Sequence, residues 1–203
     1  MSAPDDLAAR MLRHGFRWFN QYMLLLWRLG LGPWLSLGPA ITGRYMVLTH
    51  TGRKSGLPRR TPLNYAQVDG MVYITAGFGV ISDWYRNIQA HQQVELWLPD
   101  GRWAAWAEEL PDDHPARLAL LREVLKGSGF VAPLMGVNPY TLSDAALAHA
   151  TRPYRLIAIR PGGALRGPGG PGDLTWLWPL AGAALAAAAL LRLPKLPRRR
   201  RSR

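Results

Sequence analysis

Between residues 45 and 109, apolar and polar positions alternate in short runs broken by turn residues, the period-two pattern of half-buried strands. Residues 45–49, 61–68 and 71–76 are three such runs. The Asp69-Gly70 pair between the last two predicts a tight hairpin. Residues 94–98 and 102–109 flank Pro99-Asp100-Gly101 and predict a second hairpin, with Trp97, Trp103 and Trp106 as bulky strand-type side chains. A last strand is predicted over 154–159. Helical spacing appears in Leu7, Met11, Leu12, Phe19, Met23, Leu26 and Trp27, opened by Asp5 and Asp6 and stopped at Gly30-Leu31-Gly32-Pro33. Shorter helices are predicted over 83–91, from Asp112 or Asp113 to Lys126 ahead of Gly127 and Gly129, and over 144–150 behind a Ser143 cap. Antiparallel strands with a few inserted helices predict an α+β fold, a small closed or split β-barrel with flanking helices.

The pattern changes after residue 161. Gly162-Gly163, Gly167-Pro168-Gly169-Gly170 and Pro171-Gly172 read as a linker too rich in Gly and Pro to pack. Residues 174–191 then contain no ionisable side chain, which predicts a C-terminal hydrophobic helix at the lower limit of a membrane span. Trp176 and Trp178 at one end and Arg and Lys at the other suit a membrane interface. The chain therefore divides into an N-terminal amphipathic helix and connection (1–40), a barrel (41–161), a Gly/Pro linker (162–173) and a hydrophobic helix with a basic tail (174–203). If this helix spans, the positive-inside rule keeps the Arg-rich tail cytoplasmic and puts the barrel outside, whereas the lack of a secretory signal pattern in residues 1–9 argues for a barrel inside. The expectation is a cytoplasmic barrel tethered to the membrane by a helix lying in the interface, its cationic tail on anionic lipid.

Composition narrows the chemistry. The chain has no cysteine, which excludes disulfides and thiolate metal sites. Of the net charge of +12, seven cations fall in the last twelve residues, so +5 remains on residues 1–191 and no specific nucleic-acid partner is expected. His14, His50, His91, His114 and His149 are scattered without ligand spacing, so no metal site is expected. Ser55 lies in no nucleophile elbow, and no triad or carboxylate pair can be read from spacing, so no catalytic side chain is assigned.

One stretch stands out, Thr49-His50-Thr51-Gly52-Arg53-Lys54-Ser55-Gly56-Leu57-Pro58-Arg59-Arg60-Thr61-Pro62, between two predicted strands. Gly52, Gly56 and Pro58 shape a compact bend, and Arg53, Lys54, Arg59 and Arg60 surround it with charge. Converging backbone N–H groups beside Ser and guanidinium donors can hold phosphate or several carboxylates. The alternative is an exposed basic hairpin loop. Arg60 alternates with Arg59 along the strand and is expected to face solvent.

Thr51-Gly52-Arg53-Lys54-Ser55-Gly56 followed by Pro58-Arg59 and Thr61-Pro62-Leu63 resembles the signature of the deazaflavin (F420)-dependent nitroreductase and quinone reductase family of split-barrel proteins. A second block, Gly77 and Gly79 before Asp83-Trp84-Tyr85-Arg86-Asn87-Ile88-Gln89-Ala90, is similar to the family's Gly-rich turn and helix. The resemblance spans about residues 16–161. It implies an oxidoreductase in which the cofactor carries the hydride and the protein binds, orients and excludes water. It places Arg53, Lys54, Ser55, Gly56, Arg59, Thr61 and Pro62 at the coenzyme's phosphodiester and carboxylates. It places Gly77 and Gly79 against the deazaflavin ring, with Asp83, Trp84 and Asn87 completing the site. FMN is the alternative cofactor, and a non-catalytic F420-binding protein at the membrane is the alternative role. Where nitroreducing members carry several tyrosines, residues 137–150 supply only Tyr140 for substrate, beside Leu142, Ala145, Ala146 and Leu147. That apolar wall implies a hydrophobic hydride acceptor such as a quinone, with a nitroaromatic compound as the second possibility.

Overall fold

The computed structural model describes residues 15, 18–36 and 43–192. Seven strands form one antiparallel sheet: β1 (Tyr45–Thr51), β2 (Pro58–Asn64), β3 (Ala66–Val68), β4 (Met71–Ala76), β5 (Gln93–Leu98), β6 (Gly101–Glu109) and β7 (Arg155–Ala164). Their spatial order is β2-β1-β5-β6-β7-β4-β3. The two edge strands are consecutive in sequence and separated by Tyr65 alone, so one bent run supplies both edges and the sheet must curl until they approach. The predicted strand over 61–68 is this run. It begins earlier, because Pro58-Arg59-Arg60 pair with Thr51-His50-Thr49.

The interior follows from alternation. Met46 and Leu48 of β1 face Val72, Ile74, Leu96, Ile157 and Ile159 in one buried cluster. The Asp69-Gly70 turn takes the positive φ values of its tight hairpin, 50° and 77°. Helix α2 (Asp83–Ala90) closes one side of this core with Tyr85 and Ile88. Tyr85 donates a hydrogen bond to Glu109 Oε2 at 2.6 Å, and burial together with that bond pushes its hydroxyl up to about 12. Helix α3 (Arg117–Lys126) sets Leu120, Leu121 and Val124 on Ala66 and Leu156. It starts later than predicted, because Asp112 instead pairs with Arg117 and Arg155. A short α4 (Val131–Leu134), not anticipated, and α5 (Asp144–Ala150) share a cluster of Leu125, Ala132, Val137 and Leu147. Ser143 caps α5 as expected, accepting from Ala146 N.

A second layer covers the outer face of β1 and β5. Helix α1, described over residues 18–28, buries Trp27 completely against Val47 and Trp97. The earlier part of the predicted helix, with Asp5, Asp6, Leu7, Met11 and Leu12, lies outside the described residues, as does the tail after residue 192.

The detached linker is corrected. Residues 162–164 extend β7, and the following segment is docked. Arg102 donates to Pro168 O and Arg60 to Gly169 O, while Gly172 N and Leu174 N donate to Trp27 O and Arg28 O. Arg28 forms a bidentate ion pair with Asp173 at 3.0 and 3.1 Å. Its Gly and Pro residues let the chain follow a turning path whose carbonyls meet fixed donors. Arg60 is exposed, as expected, and at the same time stacks 4.9 Å over Trp97 on the outer layer. Helix α6 (Leu177–Arg192) follows. It is sixteen residues long, and no helix among the described residues is long and apolar enough to cross a membrane.

Replacing Trp27 by alanine empties the joint of this second layer. The expected loss is about 3–5 kcal/mol, read as a lower denaturant midpoint with little change for Trp27→Phe.

Candidate functional site

The 52–57 loop closes on itself. Gly52 N donates to Leu57 O, Ser55 N and Gly56 N to Gly52 O, and Leu57 N to Ser55 Oγ. Gly56 needs its positive φ of 65°, and a Cβ on Gly52 would stand 2.8 Å from Ser55 Oγ. Arg53 N is also occupied, by Asn87 Oδ1 at 3.1 Å. Of the amides from 52 to 57 only that of Lys54 is unbonded, which corrects the expectation of amides converging on an anion. Ser55 holds the turn, and side chains are what the loop offers.

Those side chains divide into two sets. Arg53 is drawn inward: Nη1 donates to Asn87 Oδ1 at 3.0 Å and to Asp83 O at 3.4 Å, and Nη2 to Asp83 Oδ1 at 3.0 Å. Nε–H and one Nη2–H remain free. Lys54 and Arg59 are exposed and make no hydrogen bond or ion pair with any described residue. The loop thus presents two unneutralised cations on a base pinned to the first turns of α2.

Behind Arg53 lies a residue with no assigned role in the sequence reading. His50 is buried on β1, turned inward like Leu48 two residues earlier. Asn87 Nδ2 donates to its Nδ1 at 3.1 Å, and Nε2–H donates to Thr61 Oγ1 at 3.1 Å. Burial, with Arg59 nearby, lowers its pKa to about 4, so the ring is neutral at physiological pH. Thr61, Asn87, Arg53 and Asp83 are therefore brought together as expected, through a histidine that was not. Inward alternation of a polar residue next to the loop was the available signal.

The other expected residues separate. Pro62 is buried opposite Val47 on the β1–β2 ladder. Trp84 is half-buried against the core, edge-on to Tyr85 at 6.5 Å. Gly79 has φ of 59°, and a Cβ there would meet Pro153 O at 2.7 Å, so packing within the chain already requires it. Gly77 differs: a Cβ would reach only ordinary contact with the Tyr154 ring, 3.8 Å away. Tyr140 is exposed between α4 and α5. A cleft of about 700 Å³ opens elsewhere, on the outer face of β1, β5, β6 and β7, lined by Thr49, Glu95, Trp106 and Arg160. It turns away from His50 and Leu48. Among the described residues no group of His, Asp and Glu could hold a metal ion.

Residues 36–127 match the family model described as F420H(2)-dependent quinone reductase, a span that contains the loop, His50 and α2. Through this segment, a little under half of the chain, the protein is similar to the F420H(2)-dependent quinone reductase family. Family members are oxidoreductases dependent on reduced F420, as the resemblance implied. Similar solved structures include a candidate 5-nitroimidazole antibiotic resistance protein from Bacteroides thetaiotaomicron (14% identity, 60% of this chain and 74% of that one, TM-score 0.43). Others are the heme storage protein HutZ from Vibrio cholerae (14%, 64% and 89%, 0.42) and an F420-H2 dependent reductase, FDR-A (21%, 57% and 91%, 0.41). At these scores the weight rests on the family match and on the antiparallel barrel itself. Among curated proteins none matches.

The His50 environment makes a pH prediction. Its folded-state pKa of about 4 lies below the ordinary 6.5, so the unfolded chain binds the extra proton between these values. Stability from this group is complete above pH 6.5 and falls as pH drops towards 4, by roughly 3 kcal/mol. The unfolding free energies from urea titrations at pH 7 and pH 4.5 should differ by about 2–3 kcal/mol more in the wild type than in His50→Gln.

Proposed function

We propose that this F420-dependent reductase binds the anionic handle of the coenzyme through Lys54 and Arg59, with Ser55 and the free N–H groups of Arg53. We propose further that hydride passes to a hydrophobic acceptor, a quinone or a nitroaromatic compound. The supporting observation is the pair of exposed side-chain cations, Lys54 on the loop and Arg59 at the start of β2, that bond no described residue, beside loop amides of which all but that of Lys54 are already bonded. A polyanion bearing phosphate and carboxylates complements that arrangement, and its charge-assisted bonds are the strong ones. When bound, the coenzyme supplies the hydride; the chain binds it, orients it and excludes water. Gly77 has only the Tyr154 ring near its Cβ position, at 3.8 Å, so packing within the chain does not by itself require a glycine there. Trp84 and Asn87 lie on α2 beside the loop, and Thr61 lies beneath it on β2, bonded to His50.

The acceptor reading rests on the apolar rim. Phe130, Leu134, Met135 and Tyr140 are all exposed around α4 and the approach to α5. Tyr140 is the single phenol among them, so an acceptor there meets hydrocarbon and one hydroxyl. Exposed Trp178, Leu180, Leu185 and Leu191 on α6, followed in sequence by the cationic tail, suit a helix lying in an anionic membrane interface with the barrel on the cytoplasmic side. Such a surface would also concentrate lipid-soluble quinones.

Purified protein with reduced F420 and a menaquinone analogue should oxidise the deazaflavin, followed by its absorbance; absence of turnover with quinones and nitroaromatics alike overturns the acceptor assignment. Reversing charge at Arg53 and Lys54 together should weaken F420 binding about 100-fold or more, and raising salt should weaken the wild type. Unchanged affinity would move the pocket elsewhere. Full-length protein should sediment with anionic vesicles, while a chain ended after Trp178, which keeps the Arg28–Asp173 clasp, should remain in the supernatant.

A further inference from the structure

We infer that His50 is a positioning residue for the coenzyme loop, fixing through Asn87 where Arg53 and the two cations beside it are held. The ligand, F420, is taken from the functional reading above; the positioning itself rests on geometry within the chain.

Hydrogen-bond direction fixes each group in turn. Arg53 approaches Asn87 Oδ1 with two obligatory donors, its backbone N–H at 3.1 Å and Nη1 at 3.0 Å. Neither can accept, so the oxygen of the Asn87 amide must face the loop. Its NH₂ then faces His50, 3.1 Å from Nδ1, and that nitrogen must accept. The ring proton therefore sits on Nε2, where Thr61 Oγ1 receives it at 3.1 Å. Thus a single tautomer of a neutral ring satisfies the whole chain of contacts. A proton on Nδ1 would face the Asn87 NH₂ and favour rotation of the amide. That rotation would turn two N–H groups towards the two Arg53 donors.

Both central groups are buried, His50 at 4% exposure and Asn87 at 5%, so water does not compete for these bonds. The consequence reaches the surface. The bond from Arg53 N is the loop's tie to α2 between Gly52 and Lys54, and the clasp of Asp83 on the guanidinium completes it. Lys54 follows directly on that tie, and Arg59 on β2 is paired with His50 itself. His50 need not touch the coenzyme to act. It sets the frame from which the cations project.

The test compares His50→Leu with His50→Gln. Leucine fills the volume but leaves Asn87 Nδ2 and Thr61 Oγ1 unpaired; glutamine can present its carbonyl to Asn87 and its NH₂ to Thr61. Equilibrium fluorescence titration should show F420 bound about tenfold or more weakly by His50→Leu, and within about threefold of wild type by His50→Gln. In coenzyme-free protein, the Arg53 amide should exchange hydrogen faster in His50→Leu and remain protected in His50→Gln. Nitrogen NMR of the wild type should place the His50 proton on Nε2. Should His50→Leu fail to fold, Thr61→Val, which removes the acceptor for that proton, should weaken binding several-fold with the same loss of Arg53 protection. Wild-type affinity and unchanged Arg53 exchange in His50→Leu, or in Thr61→Val if that is the variant that folds, overturn the inference. A wild-type protein that ignores F420 overturns the functional reading instead, and the exchange comparison still decides the positioning.

Discussion

The hydrogen bonds that run from Thr61 through His50 and Asn87 to Arg53 and Asp83 tie the loop after β1 to three pieces of structure that already share a frame. Thr61 belongs to β2, His50 to β1, and Asn87 and Asp83 to α2. The first two are fixed relative to each other by the ladder that pairs His50 with Arg59. The helix is fixed by Tyr85 on Glu109 and by Ile88 in the core. Only the loop between the strands could wander, and Arg53 ties it to the helix. Buried polar groups of this kind act strongly because each unmade bond carries a full desolvation cost.

That arrangement separates two tasks that composition alone merges. Four cations flank the bend, yet they do different things in the folded chain. Arg53 is clasped by an acid and an amide, and Arg60 is stacked on Trp97 and bonded to Gly169 O. Lys54 and Arg59 remain unneutralised at the surface. A loop that spent all four on an anion would have nothing left to hold its own shape. Dividing them lets the rigid pair position the free pair before any ligand arrives, which lowers the ordering cost of binding.

The outer layer shows the same economy of contacts. Trp27, Val47 and Trp97 form its apolar joint, and Arg28 with Asp173 closes it at the rim. The N-terminal helix and the segment after β7, far apart in sequence, therefore lock onto the same face of the sheet. Helix α6 departs from that fixed base, with its apolar side chains turned to solvent.

Much of this could be read from the chain. Period-two alternation located the strands, Asp69-Gly70 the tight hairpin and Ser143 the cap of α5, because each is a local preference acting over a few residues. The two motif blocks carried the resemblance that the family match over residues 36–127 bears out. What alternation could not supply was partner choice. Which ring the exposed Arg60 would stack on, whether the Gly-rich segment hung free or docked, and whether His50 was a bystander or a hub all depended on groups distant in sequence. Arg28 and Asp173 are 145 positions apart, and no local rule connects them. Sequence by itself determined which segments become strands and which residues can bear charge. The tertiary structure decided which charges stay free, because a guanidinium is neutralised only by what the fold brings within hydrogen-bond reach.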